Sequence, residues 1–156
     1  MIRIPPPMLD AIKAAAEAAY PDECCGLLVG RDAGAGAVEV TAVEPSPNEA
    51  AGDHADSFEV SPQLRFDVMR ELDRKNAGAA EPERIVGHYH SHPDHPAEPS
   101  ARDLKMAFEP DMVWVIVGVD NGRALAPRAH KLDEAAGRFR EIPLVAGDAP
   151  QDNKSG

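Results

Sequence analysis

The sequence predicts an α/β fold, one mixed β-sheet sandwiched by helices, and three observations carry that reading. Helix-like and strand-like periodicities follow one another as helix, two strands, helix, strand, helix, strands, which calls for a sheet with helices packed against it. The length of 156 residues suits one domain and is short for two. Hydrophobic residues make up 43% and charged residues 28%, ordinary globular usage that excludes a disordered or fibrous chain. Aromatics are only 4%, so the core is expected to be aliphatic and carried by a few segments.

After Pro5-Pro6-Pro7, residues Met8 to Tyr20 read as an amphipathic helix with Leu9, Ile12, Ala15, Ala16 and Ala19 on one stripe, stopped by Pro21. Cys24 to Val29 is a short apolar run that ends at Gly30 and reads as a buried strand. The Ala33–Gly36 turn leads into Val38 to Val43, which alternates as a strand. Pro45 to Asp56 is a long polar loop, of the kind that often carries function. Ser61-Pro62 opens a helix with serine as N-cap and proline in the first turn, and Leu64, Val68, Met69 and Leu72 share one face of it. Arg84 to Tyr89 is the next strand. A proline-rich loop from Pro93 to Pro99 follows, and Ser100 starts a helix running to about Phe108. Met112 to Val119 is the most hydrophobic stretch and is expected at the sheet centre. Asp120-Asn121-Gly122 makes a tight turn into a strand from Ala124 to Leu132, where Pro127 implies an edge or a bulge. A last strand is placed at Arg138 to Ile142. The domain is expected to span 1–144, with 145–156 a disordered tail.

Asp and Glu total 27 against 16 Lys and Arg, a formal net charge of -11. Such a surface repels phosphate backbones and anionic lipids, so neither nucleic acid nor membrane is expected as a partner. No apolar run approaches the ~18 residues needed to span a bilayer, and the N-terminus lacks the apolar stretch of a secretory leader. Cys24 and Cys25, the only cysteines, are adjacent and poorly placed to close a disulfide with each other. A cytoplasmic location with reduced thiols is therefore expected.

Four of the six histidines, His88, His90, His92 and His95, fall within eight residues. Carried in strand form to His92, alternate side chains aim His88, His90 and His92 to one side of the sheet. Two imidazoles at i and i+2 can chelate one metal ion. The same residues also read as a solvated histidine-rich loop. Ser100-x-x-Asp103 likewise has two readings, a capping box at a helix start or a carboxylate completing a metal site. His-Glu-x-x-His, Gly-x-Ser-x-Gly, a phosphate-binding glycine loop and the Pro-Cys-x-x-Cys of zinc deaminases are all absent from the sequence.

The run Gly87-His88-Tyr89-His90-Ser91-His92-Pro93, seven residues from His92 to Ser100 and two more to Asp103, resembles the JAMM signature of the JAB1/MPN/Mov34 zinc metalloproteases. The segment Pro21-Asp22-Glu23-Cys24-Cys25-Gly26-Leu27-Leu28-Val29-Gly30 is similar to the family's second hallmark, a glutamate just before a Cys-Gly-Leu-Leu-type strand. The resemblance covers roughly residues 5 to 142, and His88 stands where many relatives carry an aromatic residue. It implies a JAMM/MPN fold, similar to cytidine deaminase. It also implies one Zn²⁺ per chain on His90, His92 and Asp103 with water as the fourth ligand. Glu23 would be the general base and Ser100 the donor to the developing oxyanion. His88 and His95 rank below as rival or supporting groups. Cys24 and Cys25 read as small core residues, His54 has no evident partner, and Asn48 resembles a position often kept as asparagine.

The short connection from the Asp103 helix to the Met112 strand leaves no room for the large insertion of eukaryotic deubiquitinating relatives. His-Ser-His-Pro-Asp-His-Pro-Ala followed by Glu-Pro-Ser looks most like compact bacterial members. That likeness implies a ubiquitin-like sulfur-carrier protein as partner, cleaved at the amide or isopeptide bond after its C-terminal Gly-Gly. The alternative is a catalytically silent MPN-type module that only binds a protein partner. A zinc site that merely stabilises the fold ranks last, because open three-ligand sites are usually catalytic.

Overall fold

A computed structural model of the chain describes residues 1–107 and 109–147. Its elements, in chain order, are β1 (Ile2–Ile4), α1 (Pro6–Ala19), β2 (Cys25–Asp32), β3 (Val38–Ser46), α2 (Pro62–Asn76), β4 (Arg84–Pro93), α3 (Ala101–Lys105), β5 (Val113–Asp120), β6 (Arg123–Ala124), β7 (Arg128–Asp133), β8 (Arg138–Ile142) and β9 (Leu144–Ala146). They form one mixed sheet in the order β8-β7-β5-β4-β2-β3-β1-β9, with β6 paired to β5. The expected α/β class and single mixed sheet with helices are what the structure has.

The most apolar strand lies where its composition demands. β5 runs between β4 and β7 with every residue from Val113 to Val119 buried. Its odd-numbered valines join Tyr89, Leu28, Val40 and the α1 stripe of Leu9, Ile12 and Ala16 in one aliphatic core. By strand alternation, Trp114 and Ile116 face the other side of the sheet, together with His88, His90 and His92. β4 and β5 are parallel, pairing Gly87 with Val113 through Pro93 with Val119. A parallel pair needs a crossover, and α3 lies on it. The histidines therefore sit at the carboxyl end of β4, where open α/β sheets commonly place their sites.

Several boundaries move, each for a local reason. The first strand, β1, was not expected. Three residues make a weak signal, but Ile2 and Ile4 are wholly buried because β1 pairs in parallel with both β3 and β9. β2 continues past Gly30 to Asp32. A Cβ at Gly30 would come within 2.1 Å of the Glu39 carbonyl oxygen, so this glycine permits a close strand approach at a register shift rather than ending the strand. β3 runs on to Ser46, and β4 runs on through the histidines to Pro93. α2 starts at the expected cap, Ser61 Oγ accepting from Leu64 N–H at 3.2 Å. Its inner face is narrower than the periodicity implied. Only Leu72 is buried, and Met69 is half exposed.

The segment expected as one strand from Ala124 to Leu132 breaks at Leu125-Ala126-Pro127 into β6 and β7. The turn before it is as expected, with Asn121 and Gly122 both at positive φ (49° and 86°). α3 is a single short helix ending at Lys105, and Phe108, its expected end, lies outside the described residues. Val145 and Ala146, expected in the tail, belong to β9, which passes the boundary placed at 144. Gly147 follows, its N–H donating to Ile4 O at 3.2 Å, and 148–156 of the expected tail lie outside the described residues.

Candidate metal and catalytic site

His90 and His92 project from the last turns of pleat in β4, two residues apart and on one face. Their Nε2 atoms are 3.0 Å apart. Asp103, in the first turn of α3, brings Oδ1 to 3.4 Å from His90 Nε2 and Oδ2 to 3.2 Å from His92 Nε2. All three side chains are buried. The helix start that places Asp103 is itself a capping box. Ser100 Oγ accepts from Asp103 N–H at 3.0 Å, and Asp103 Oδ2 accepts from Ser100 N–H at 2.8 Å. Both readings of Ser100-x-x-Asp103 thus hold together, since the cap aims the carboxylate at the imidazoles.

Glu23 enters from the neighbouring strand's end, just ahead of β2, whose Cys25 pairs with His90. Cys24 is held to β4 by its N–H donating to Ser91 Oγ at 2.8 Å, while Ser91 N–H donates to Cys24 O at 3.2 Å. The Glu23 backbone is gripped by the long loop. Its N–H donates to His54 O at 2.7 Å, and its carbonyl accepts from Asn48 Nδ2 at 3.2 Å. The carboxylate of Glu23 comes within 4.8 Å of both imidazole nitrogens. Two carboxylates therefore reach the histidine pair, Asp103 at 3.2–3.4 Å and Glu23 within 4.8 Å.

The donor set fits a metal ion. His92 Nδ1 donates to Pro96 O at 2.9 Å, which fixes the tautomer that leaves a lone pair on Nε2. The two imidazole Nε2 atoms and the Asp103 carboxylate, which hydrogen-bond to one another in the metal-free protein, converge on one point and are nitrogen and oxygen atoms of the kind that ligate a cation once any Nε2 proton is released. Ligands about 2.0–2.1 Å from a tetrahedral ion lie about 3.3 Å from one another, close to the 3.0–3.4 Å separations found here.

Electrostatics divide the two acids. Burial pushes Glu23 up to about 8. Burial also opposes charge on Asp103, but hydrogen bonding from His90 and His92 outweighs it and holds that carboxyl well below the usual carboxylate range. Burial pushes His90 down. At His92 burial acts the same way, and the Asp103 and Pro96 hydrogen bonds overcome it to raise the imidazole.

A cleft of about 700 Å³ opens over this group. Ala50, Ala51, Gly52 and Ala55 of the long loop line one wall, and Pro93, Pro96 and Pro99 line the other. Ser100, His92, Asp103 and Glu23 are all part of its lining, so the residues the sequence singled out are brought together. His95 lines the cleft and is exposed, and its backbone N–H donates to His92 O at 3.4 Å. His88 packs behind the site against Trp114, with ring centroids 4.2 Å apart, and burial pushes it down to about 3. Cys25 is buried, and burial pushes its thiol up to about 12, the state of a core residue rather than a nucleophile. Residue spacing did not reveal Phe58, whose ring stacks on His90, nor the Pro96 carbonyl. A hint existed for Phe58, the lone Phe, Tyr or Trp between residues 47 and 60. His54 does have a partner, its Nε2 lying 2.8 Å from Ala50 O.

No helix among the described residues is long and apolar enough to cross a membrane. Residues 5–131 match the family described as prokaryotic homologs of the JAB domain. The chain is 32% identical over 125 residues to a desampylase of Haloferax volcanii, covering 80% of this chain and 78% of that protein. It is 29% identical over 141 residues to a CysO-cysteine peptidase of Mycobacterium tuberculosis, covering 88% and 87% respectively. Its fold matches that of a JAB1/MPN domain protein from Archaeoglobus fulgidus, with a TM-score of 0.55 at 20% identity over 94% of this chain and 98% of the other. A match over this much of the chain, joined to a His, His, Asp and Glu group at the carboxyl end of β4, means that this chain belongs to the prokaryotic JAB family and is a JAMM-type hydrolase.

Proposed function

We propose that the protein is a zinc-dependent metallopeptidase. In this reading it hydrolyses the amide or isopeptide bond after the C-terminal Gly-Gly of a ubiquitin-like sulfur-carrier protein. The observation that carries the reading is the convergence of His90 Nε2, His92 Nε2 and the Asp103 carboxylate beside Glu23 at the floor of a cleft. Those three residues would hold zinc, which supplies a Lewis acid and a water of lowered pKa. Glu23 accepts a proton from the attacking water and returns it to the departing amine. A buried carboxyl that titrates near neutrality suits both transfers, and a cation beside it favours the ionised form that starts the cycle. Ser100 Oγ already accepts from Asp103 N–H, which leaves its own proton free to donate to the developing oxyanion. The walls support the substrate assignment. The cleft beside the site is lined in part by Ala50, Ala51, Gly52 and Ala55 and by Pro93, Pro96 and Pro99, small or rigid residues that leave room for an extended chain. The relatives support it as well, one named a desampylase and the other a CysO-cysteine peptidase.

The test is direct. Zinc-loaded protein is incubated with a panel of diglycine-terminated ubiquitin-like carriers, each extended at the C-terminus or joined to a lysine, and the products are weighed by mass spectrometry. Cleavage after the second glycine is expected for at least one carrier and is absent in Glu23→Gln. A panel left intact by protein that carries about one zinc per chain would overturn the substrate assignment while leaving the metal site standing.

A further inference from the structure

The two histidines are aimed by different means. His92 is fixed by a hydrogen bond, Nδ1 to Pro96 O. His90 has nothing equivalent, because its Nδ1 is buried with no hydrogen-bond partner among the described residues. Yet its ring is wholly enclosed. Phe58 lies flat against it, with centroids 4.1 Å apart and planes 16° from parallel, and Trp114 meets it edge-on at 5.7 Å and 85°. Turning the His90 ring about its Cβ–Cγ bond would drive an edge into the Phe58 face.

Phe58 is in turn held from both sides by one residue. Asn48 Nδ2 donates to Ser57 O at 2.9 Å, and Asn48 Oδ1 accepts from Glu59 N–H at 3.1 Å. The peptide groups flanking Phe58 are thereby tied to the side chain that also reaches the Glu23 carbonyl. We propose that Phe58 is the positioning residue for His90: its stacked ring, clamped by Asn48, takes the place of the missing hydrogen bond and holds Nε2 toward His92 and Asp103. The long loop is on this view part of the metal site's support as well as a wall of the cleft. The inference rests on the metal reading above.

The experiment measures zinc affinity by competition with a chromophoric chelator, and the visible absorption of the cobalt-substituted protein, for wild type, Phe58→Leu and Phe58→Tyr. Metal-free melting and circular dichroism accompany each to show that the fold is kept. Phe58→Leu is expected to weaken zinc binding about tenfold to a hundredfold, the range for loss of a group that orients a ligand, and to change the cobalt spectrum. Phe58→Tyr keeps the ring and is expected to restore both. Wild-type affinity and spectrum in Phe58→Leu overturn the proposal, as does a Phe58→Tyr protein as impaired as Phe58→Leu. Wild type that binds neither metal overturns the metal reading itself, a separate outcome.

Discussion

The two walls of the cleft are built on different principles. The β4–α3 wall sets His90, His92 and Asp103 on regular structure: a strand buried between two neighbours and a helix start closed by a capping box. The loop wall, residues 47–60, has no core of its own. A single bridge between Asn48 and Val60 joins its ends, and the side chain of Asn48 donates two hydrogen bonds and accepts two. Yet this wall holds the backbone of Glu23 and the ring that faces His90. On the proposed reading the walls divide the labour: the rigid wall would supply the metal's donor atoms, and the irregular one their orientation and the proton carrier.

The largest effects come from breaking that division at its centre. Asp103→Ala removes a ligand from the rigid wall and is expected to drop bound zinc from about one per chain to near none, read by plasma mass spectrometry. Glu23→Gln acts from the other wall. It is expected to keep zinc and lose about 10²–10⁴ in kcat, the contribution of a positioned general base. Zinc content that falls equally in both variants would erase the distinction between ligand and base. Glu23 would then be a ligand, as its 4.8 Å reach also allows.

A smaller effect separates the walls by stability. Asn48→Ala strips two donated and two accepted hydrogen bonds and leaves carbonyls of Glu23 and Ser57 without a donor. The expected loss is about 2–3 kcal/mol, measured by urea unfolding. Amide exchange is expected to quicken at Ala50 and Glu59, whose N–H groups Asn48 accepts, and to stay slow along β4. Uniform quickening across β4 would mean that the loop is not a separate unit of support.

How much of this the sequence disclosed follows the same line. Regular structure announces itself: strand alternation put His88, His90 and His92 on one face, Ser100-x-x-Asp103 declared a helix start, and Met112–Val119 declared the central strand. The resemblance, not the spacing, singled out Glu23, since an acid before a strand is an ordinary surface feature until its burial is known. Phe58 lay hidden, and Asn48 was marked by the resemblance alone, because their roles are made by loop closure between residues ten apart in a polar stretch, with no period to read. The three-residue β1 and β9 were missed for a related reason. Each is too short to carry a pattern, and pairing across the whole length of the chain makes them strands.

The finest contrast lies between the two carboxylates, which environment shifts in opposite directions. Asp103 is hydrogen-bonded by both histidines, which hold its carboxyl well below the usual carboxylate range. Glu23 is buried without such donors and rises from about 4.5 to about 8 in the metal-free protein. A group with a raised folded-state pKa binds more protons folded than unfolded between those two values. Its contribution to stability is complete below the unfolded value and is lost as pH climbs through the folded one. Metal-free wild type is therefore expected to lose stability relative to metal-free Glu23→Gln as pH rises from about 4.5 to about 8. The slope has an upper limit of about 1.4 kcal/mol per pH unit, and the difference is flat above that window. The histidines and Asp103 are common to both proteins, so urea unfolding of the pair at successive pH values reads the Glu23 carboxyl together with its coupling to His92. Zinc brings a positive charge beside Glu23, lowers its pKa and is expected to flatten the difference. Parallel stability curves for the two metal-free proteins would show that Glu23 is not buried as a neutral acid, and the opposed tuning of the two walls would fall with it.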